Sequence, residues 1–365
     1  MTGTGPVGVG IIGAGNISDQ YLTTLTALAD VRVLFVADLD EARAAAQAGK
    51  YGVASSGSPD QLLAVPEIEI VVNLTIPAVH AEVSQRILEA GKHVWTEKPL
   101  ALDRDSGKSL LKEAKRRDVR VAGAPDTFLG TGLQTVRRII DSGEIGTPLT
   151  ALTLFESGGP ERWHPSPAFF YAKGGGPLFD MGPYYLTTLV QVFGAAKSVY
   201  ALSSTSHEVR TVGSGPLAGE RIPVEVPSHV GAIIEFENGT SAQSIFSFQA
   251  HRARVGIVEI SGSEGLIVAP DPNMFGGTIE IHSGGETRTQ ETEFEWVRGV
   301  GVLDLARAIR AGEPERASGA LAYHVLDMMA SIAESADKRR PVRVASTVER
   351  PPVLPEDWNP AAATL

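Results

Sequence analysis

The chain has 365 residues, 43% of them apolar and 21% charged, with a formal net charge of −11 and no cysteine. Its length exceeds a single hydrophobic core, so two domains are expected, and the acidic balance argues against nucleic acid or an anionic membrane as a partner. The missing thiols exclude disulfides, thiolate metal sites and a cysteine nucleophile, and fit a reducing, cytoplasmic location. Residues 1–10 combine no basic segment with an apolar core, and no window approaches a membrane span.

Val7 to Ile12 is an apolar run broken only by glycine, the pattern of a strand buried on both faces of a parallel sheet. After Gly13 and Gly15, apolar residues recur at helical spacing (Ile17, Tyr21, Leu22, Leu25, Leu28), which places the glycines on a strand-to-helix turn. Such a turn lets backbone approach a pyrophosphate, with Asn16 and Ile17 opening a helix whose amino terminus favours negative charge. The spacing is Gly-x-x-Gly-x-Gly without the usual third glycine, and a tight turn with no ligand would look the same. The next strand, Val31 to Ala37, ends at Asp38, where a carboxylate would accept both ribose hydroxyls of an adenosine. That points to NAD, with NADP possible because Arg43 lies one turn further on. A third strand, Glu69 to Leu74, leads into a loop whose Thr75, Pro77 and His80 are candidates for the nicotinamide ribose. His80 fits equally well as a helix-start residue held by backbone. A helix from Val79 to Ala90 ends at Gly91, and the short strand Lys92 to Thr96 delivers Glu97 and Lys98 before Pro99 stops regular structure. Open α/β sheets hold ligands at such carboxyl ends, so Lys98 falls where a nicotinamide ring would lie. A helix from Arg104 to Arg117 and a strand from Arg120 to Ala124 complete a domain over 1–125 that contains Glu97 and Lys98 as further cofactor contacts.

Turn formers at 125–130 mark the boundary to a second domain, 126–345, and 346–365 reads as a tail expected only to wrap the surface. Leu149 to Glu156 is a strand, followed at 158–176 by an irregular segment rich in glycine, proline and aromatics. Its Trp163 and His164 suit stacking on and hydrogen-bonding to a sugar, although a packed lid pair is the plain alternative. Gly174 to Gly176 and Pro177 then start a helix on which Asp180 and Tyr184, four apart, share a face. An acid in a first helical turn also has an innocent explanation in the helix dipole. Further on, Asn238-Gly239 between His229–Glu237 and Thr240–Ala250 signals a hairpin. Ile233, Ile245 and Ile257 face away from Phe236 and Phe246, so both faces of this sheet need cover, one from helices and one from a second subunit. Helices are expected over Val302–Ala311 and Leu321–Ala336. The eight histidines are scattered without ligand spacing, so no metal site is expected.

The runs Gly10-Ile11-Ile12-Gly13-Ala14-Gly15-Asn16-Ile17, Glu97-Lys98-Pro99 and Gly174-Gly175-Gly176-Pro177-Leu178-Phe179-Asp180-Met181-Gly182-Pro183-Tyr184 together resemble the glucose-fructose oxidoreductase / inositol dehydrogenase / rhizopine catabolism (Gfo/Idh/MocA) family. The resemblance spans roughly residues 5 to 345. It implies an α/β protein with an N-terminal Rossmann domain and a C-terminal α+β domain built on a large, mostly antiparallel open sheet, through which a homodimer or homotetramer forms. It implies an NAD(P)-dependent oxidoreductase for a secondary alcohol of a sugar, cyclitol or related polyol, with Lys98 catalytic, the bond before Pro99 cis, and Asp180 beside the reacting carbinol. Tyr184 stands where most members carry histidine, so Lys98, Asp180 and Tyr184 are the candidate proton-handling and substrate residues, with Trp163 and His164 as substrate contacts. An NAD-dependent glycosidase using transient oxidation, or a non-catalytic dinucleotide sensor, would carry the same motifs.

Overall fold

The computed structural model describes residues 4–365. From the amino end, strands and helices alternate: β1 (Val7–Ile12), α1 (Ser18–Leu25), β2 (Val31–Ala37), α2 (Glu41–Tyr51), β3 (Ser55–Gly57), α3 (Pro59–Leu63), β4 (Ile70–Asn73), α4 (His80–Glu89), β5 (His93–Thr96), α5 (Arg104–Arg117) and β6 (Val121–Gly123). The strands form one parallel sheet in the order β3-β2-β1-β4-β5-β6. All six residues of β1 are buried, as a run of apolar residues broken only by glycine requires. Strand order reverses at β1, which pairs with β2 on one side and β4 on the other, so the carboxyl ends of β1 and β4 flank a crevice. Ile12, Phe35, Val71, Val94 and Leu110 belong to the core beneath it.

The next elements are α6 (Thr131–Asp141), β7 (Pro148–Glu156), α7 (Gly176–Phe193), β8 (Ala196–Ser204), the small pair β9 (Val209–Thr211) and β10 (Arg221–Pro223), β11 (His229–Phe236), β12 (Ser241–Ser247), β13 (Arg254–Gly262), β14 (Gly265–Ala269), β15 (Gly277–Ser283) and β16 (Glu286–Thr292). Then follow α8 (Val300–Ala311), α9 (Gly319–Lys338) and β17 (Val342–Arg343). A nine-stranded sheet runs β16-β15-β14-β13-β7-β12-β11-β8-β17, antiparallel except where β12 pairs with β7. Val199, Ala201, Ile234, Phe236, Ala242 and Phe246 are buried on one face, which packs against α7. On the opposite face Tyr200, Leu202 and Ile233 are exposed. The β11–β12 turn is the expected Asn-Gly hairpin: Gly239 has φ +83° and the Asn238 side chain accepts the Thr240 amide at 3.1 Å.

Two compact units result, and neither is continuous in sequence. One comprises the residues up to Leu129 with Glu295–Tyr323 and Leu354–Leu365; the other comprises Gly130–Phe294 with His324–Val353. This differs from the contiguous division at 125 and 345: helix α8 and the last twelve residues return to the first unit. The reason is a buried acid. Asp30, at the turn into β2, is 1% exposed and accepts from the Thr364 amide and hydroxyl, both at 2.7 Å, and from the Leu365 amide at 3.0 Å. Arg307 of α8 donates to Asp30 Oδ2 at 2.8 Å and to the carbonyls of Asn359 and Ala362 at 3.1 and 2.8 Å, with its guanidinium over the Trp358 ring. The tail is therefore a clasp, where the sequence suggested a loose wrapping. No helix among the described residues is long and apolar enough to cross a membrane.

Candidate active site

Gly13 and Gly15 follow β1 and open a cavity of about 420 Å³ that Asp38, Leu39, Arg43, Thr75 and Ile76 also line. Gly13 has φ +108°, and a Cβ there would lie 2.6 Å from the Leu74 carbonyl oxygen, so only glycine lets β1 and β4 close at the crevice. At Gly15 a Cβ would meet nothing within 4 Å, which leaves room for a ligand above the turn. Helix α1 starts next to it without a side-chain cap, and Asn16 and Ile17 occupy the turn before its first residue. Asp38 Oδ2 accepts the Ala14 amide at 2.8 Å and Oδ1 the Asp40 amide at 2.9 Å. The carboxylate thereby ties the end of β2 to the glycine turn and keeps further lone pairs for hydroxyl donors. Arg43 Nη2 is 3.9 Å from Asp38 Oδ1. Leu39 and Ile76, 92% and 66% exposed, put two aliphatic side chains on the same cavity, suited to a flat base. A glycine turn, an uncapped helix start, an acid at the end of β2 and apolar walls together fit an adenine dinucleotide.

The loops after β4 and β5 are locked from behind. Asn73, fully buried, donates to the His80 carbonyl and the Ser84 hydroxyl at 3.0 Å and accepts from the Thr75 amide and hydroxyl at 3.2 and 2.7 Å. Pro77 begins a short 3-10 turn, Pro77–Val79. His80 is 1% exposed, with Nδ1 2.8 Å from the Pro99 carbonyl and Nε2 2.9 Å from the Thr75 carbonyl. Each ring nitrogen thus faces a backbone carbonyl, of which the neutral ring can donate to one, and both edges of the ring are turned to backbone, which favours the helix-start reading over a ribose contact. Burial lowers its pKa against the pull of those two carbonyls. The Lys98–Pro99 bond is cis. Glu97 is also buried, 7% exposed, with one oxygen accepting the Tyr21 hydroxyl and the other the Lys98 amide. Its carboxylate is turned inward, a placement that the charged pair in the sequence did not signal.

In the second unit, Asp180 and Tyr184 lie on the first turns of α7, spaced to share a face, with Asp180 half-buried and Tyr184 5% exposed. The segment before this helix is held by groups the sequence reading missed. Glu161, 5% exposed, accepts from Arg210 Nη1 at 3.0 Å and from the Tyr171 hydroxyl, while Arg210 Nη2 donates to the Phe248 carbonyl at 3.1 Å. Burial, then the neighbouring Glu161, pushes the Tyr171 phenol far up. No local spacing relates Glu161 to Arg210, 49 residues away, so sequence periodicity could not reveal them. On this anchored segment Trp163 is 67% exposed, and the His164 ring stands edge-on to Trp163, Phe169 and Phe170 at 5.3 to 5.4 Å. His164 Nδ1 accepts the Ser166 amide at 3.1 Å, so the neutral ring carries its proton on Nε2.

Residues 7–124 match the family model described as an oxidoreductase family with an NAD-binding Rossmann fold, and residues 133–268 match that of the GFO/IDH/MocA C-terminal domain. Over 277 residues the chain is 33% identical to the uncharacterized oxidoreductase ORF334 of Rhizobium meliloti, covering 75% of this chain and 76% of that protein. It is 25% identical to inositol 2-dehydrogenase of Rhizobium meliloti (strain 1021), covering 79% and 83% of the two chains. Among solved structures, an NAD binding oxidoreductase from Klebsiella pneumoniae superposes with a TM-score of 0.81 at 21% identity, covering 93% and 99%. Levoglucosan dehydrogenase in complex with NADH and L-sorbose gives 0.81 at 23% identity, covering 94% and 100%. At these identities the superpositions speak to the fold.

Proposed function

We propose, from the premise that the chain belongs to the GFO/IDH/MocA oxidoreductase family with its NAD-binding Rossmann fold, that it transfers a hydride between a secondary alcohol of a sugar, cyclitol or related polyol and NAD. The observation that carries this reading is one carboxyl edge of the parallel sheet, on which Asp38 and the glycine turn line a cavity and Lys98 is fixed after β5. NAD, when bound, supplies the hydride acceptor. Gly13, Gly15, Asn16 and Ile17 hold its pyrophosphate, Asp38 its adenosine ribose, and Thr75 and Pro77 shape the loop beside the second ribose. Lys98, Asp180 and Tyr184 would orient the carbinol, and Lys98 or Asp180 would take up its proton as the hydride is transferred. Tyr184 serves as a neutral donor to the substrate oxygen, because a free phenol titrates near ~10 and is a poor base at neutral pH. Trp163 offers a flat apolar face to a ring's C–H groups, and His164 an Nε2–H to its hydroxyls. A reduction screen of NAD and NADP across sugars and polyols tests the reading directly; no turnover of any sugar, cyclitol or other polyol would overturn it.

Cofactor choice follows from Asp38. Asp38→Ser removes a charged acceptor for the ribose hydroxyls, so KM for NAD should rise about 10-fold or more while that for NADP falls. Steady-state kinetics with both cofactors measures this, and a wild-type preference for NADP would remove Asp38 from the ribose.

The relatives' chemistry and the missing cysteines favour a cytoplasmic enzyme, and the uncovered sheet face favours a homodimer or homotetramer. Ile233 stands opposite Tyr200 on β8 and Gln243 on β12, with Leu202 two residues along β8 from Tyr200 on the same face. Three exposed large apolar side chains on one sheet face call for a second apolar surface. Ile233→Glu should shift the sedimentation coefficient to a smaller species; a monomeric wild type would dispose of the interface.

A further inference from the structure

Tyr21 sits in α1, the helix that opens from the glycine turn, yet its ring and hydroxyl point into the protein and are fully buried. The hydroxyl is 2.9 Å from Glu97 Oε1 and 3.1 Å from the Trp95 indole nitrogen. An indole N–H can only donate, so Tyr21 accepts from Trp95 and must spend its single proton on Glu97. The second Glu97 oxygen accepts the Lys98 backbone amide at 2.9 Å. The direction of the whole chain is therefore fixed, from Trp95 to Tyr21 to Glu97, with Glu97 closing on the peptide of Lys98.

We propose that Tyr21 is a positioning residue for Lys98, acting through the Glu97 carboxylate. A buried carboxylate is tolerated only with donors on its oxygens, and one orientation of Glu97 satisfies both donors at once. Without the phenol, Oε1 loses this donor and the carboxylate turns to find another partner, releasing the Lys98 amide from its fixed place. Burial, then the negative charges of Glu97 and Asp126, raises the Tyr21 pKa well above 10.0, which keeps it a neutral donor throughout the working range. Asp126 and Arg298 are further charged groups around it, and Asp126 Oδ2 is held by the amides of Gly299 and Gly301 at 2.8 and 3.1 Å. Trp95 is fixed in turn by α8: a Cβ on Gly301 would fall 2.0 Å from its ring, so the indole lies directly on that helix's backbone. Three elements distant in sequence, α1, β5 and α8, thus converge on the placement of one lysine.

The inference rests on Lys98 acting at the carbinol, and the test separates the two. Tyr21→Phe, Glu97→Gln and the double variant are made in the full chain and assayed with a substrate found in the polyol screen. Tyr21→Phe should lower kcat about 10-fold and displace its pH profile, while NADH affinity, read by fluorescence, stays close to wild type and Tm falls by a few degrees because a buried acceptor and the Trp95 N–H each lose a partner. The double variant should be no slower than Glu97→Gln alone, because both remove one chain of contacts. In a Lys98→Met background Tyr21→Phe should change nothing further. Wild-type kcat and pH profile in Tyr21→Phe, or losses that multiply in the double variant, would overturn the proposal while leaving Lys98 its role. Should Tyr21→Phe fail to fold, Glu97→Gln decides from the other end: lost kcat with intact NADH affinity supports positioning, and lost NADH affinity with intact kcat makes Glu97 a cofactor contact instead. A fully active Lys98→Met would overturn the underlying reading and not this link alone.

Discussion

Lys98→Met should bind NADH with nearly wild-type affinity and yet lose on the order of 10²–10⁴ in kcat, the usual cost of deleting a positioned acid-base group. The separation follows from the architecture. The cradle is built from the ends of β1, β2 and β4, whereas Lys98 follows β5 and its backbone is held by Glu97. Methionine keeps the length and most of the volume of the side chain, so the turn at Pro99, braced by His80, has no reason to rearrange. Fluorescence titration of NADH and steady-state kinetics on the same preparation give both halves of the result. Tyr184→Phe, assayed alongside, should cost less, because a donor that only holds the substrate oxygen leaves the proton route in place. A Lys98→Met enzyme with near wild-type kcat would remove the lysine from the chemistry.

Asp30→Ala should destabilise the first unit by about 3 kcal/mol, since it strips a buried partner from Arg307 and three donors from their acceptor. The same group makes a pH signature. Burial raises its pKa, but the hydrogen bonds from Thr364, Arg307 and Leu365 outweigh burial and hold it below the ordinary 3.8. A carboxylate with a depressed folded pKa contributes stability that is complete above its unfolded value and is lost as pH falls through the folded one. Acid unfolding of the wild type should therefore steepen below about pH 4, and Asp30→Asn should flatten that part of the profile. Urea melts at pH 3, 4 and 7 would show it. Equal pH dependence in the two proteins would mean that Asp30 is not ionised in the clasp.

The elements that the sequence made legible are those with a strong period or an unusual residue. The apolar runs of β1 and β4, the glycine turn and the Asn238-Gly239 hairpin carry their geometry in adjacent residues. What escaped detection depends on partners far along the chain. Strand β16, Glu-Thr-Arg-Thr-Gln-Glu-Thr, has no apolar face because it is the polar edge of its sheet, so no hydrophobic alternation marks it. Glu97 read as a cofactor contact beside Lys98, and only the fold shows its carboxylate bonded to Tyr21, 76 residues earlier. His80 was ambiguous for the same reason, since the carbonyls of Thr75 and Pro99 that occupy it are brought together by two loops. The tail was misjudged because Asp30 and Thr364 are 334 residues apart, and a proline-rich end carries no sign of a buried acceptor elsewhere.

The return of α8 and of Leu354–Leu365 to the first unit has a bearing on biosynthesis. Domains commonly mature in order as they leave the ribosome, the amino-terminal one first. Here the parallel sheet emerges early but waits for Gly299, Gly301 and Arg307 to cover Asp126, Trp95 and Asp30, and for Thr364 to complete the clasp. The intervening unit, residues 130–294, is translated in full before any of these arrive. A nascent chain thus carries the nucleotide cradle with Asp126, Trp95 and Asp30 uncovered until α8 and Leu354–Leu365 have followed the intervening unit.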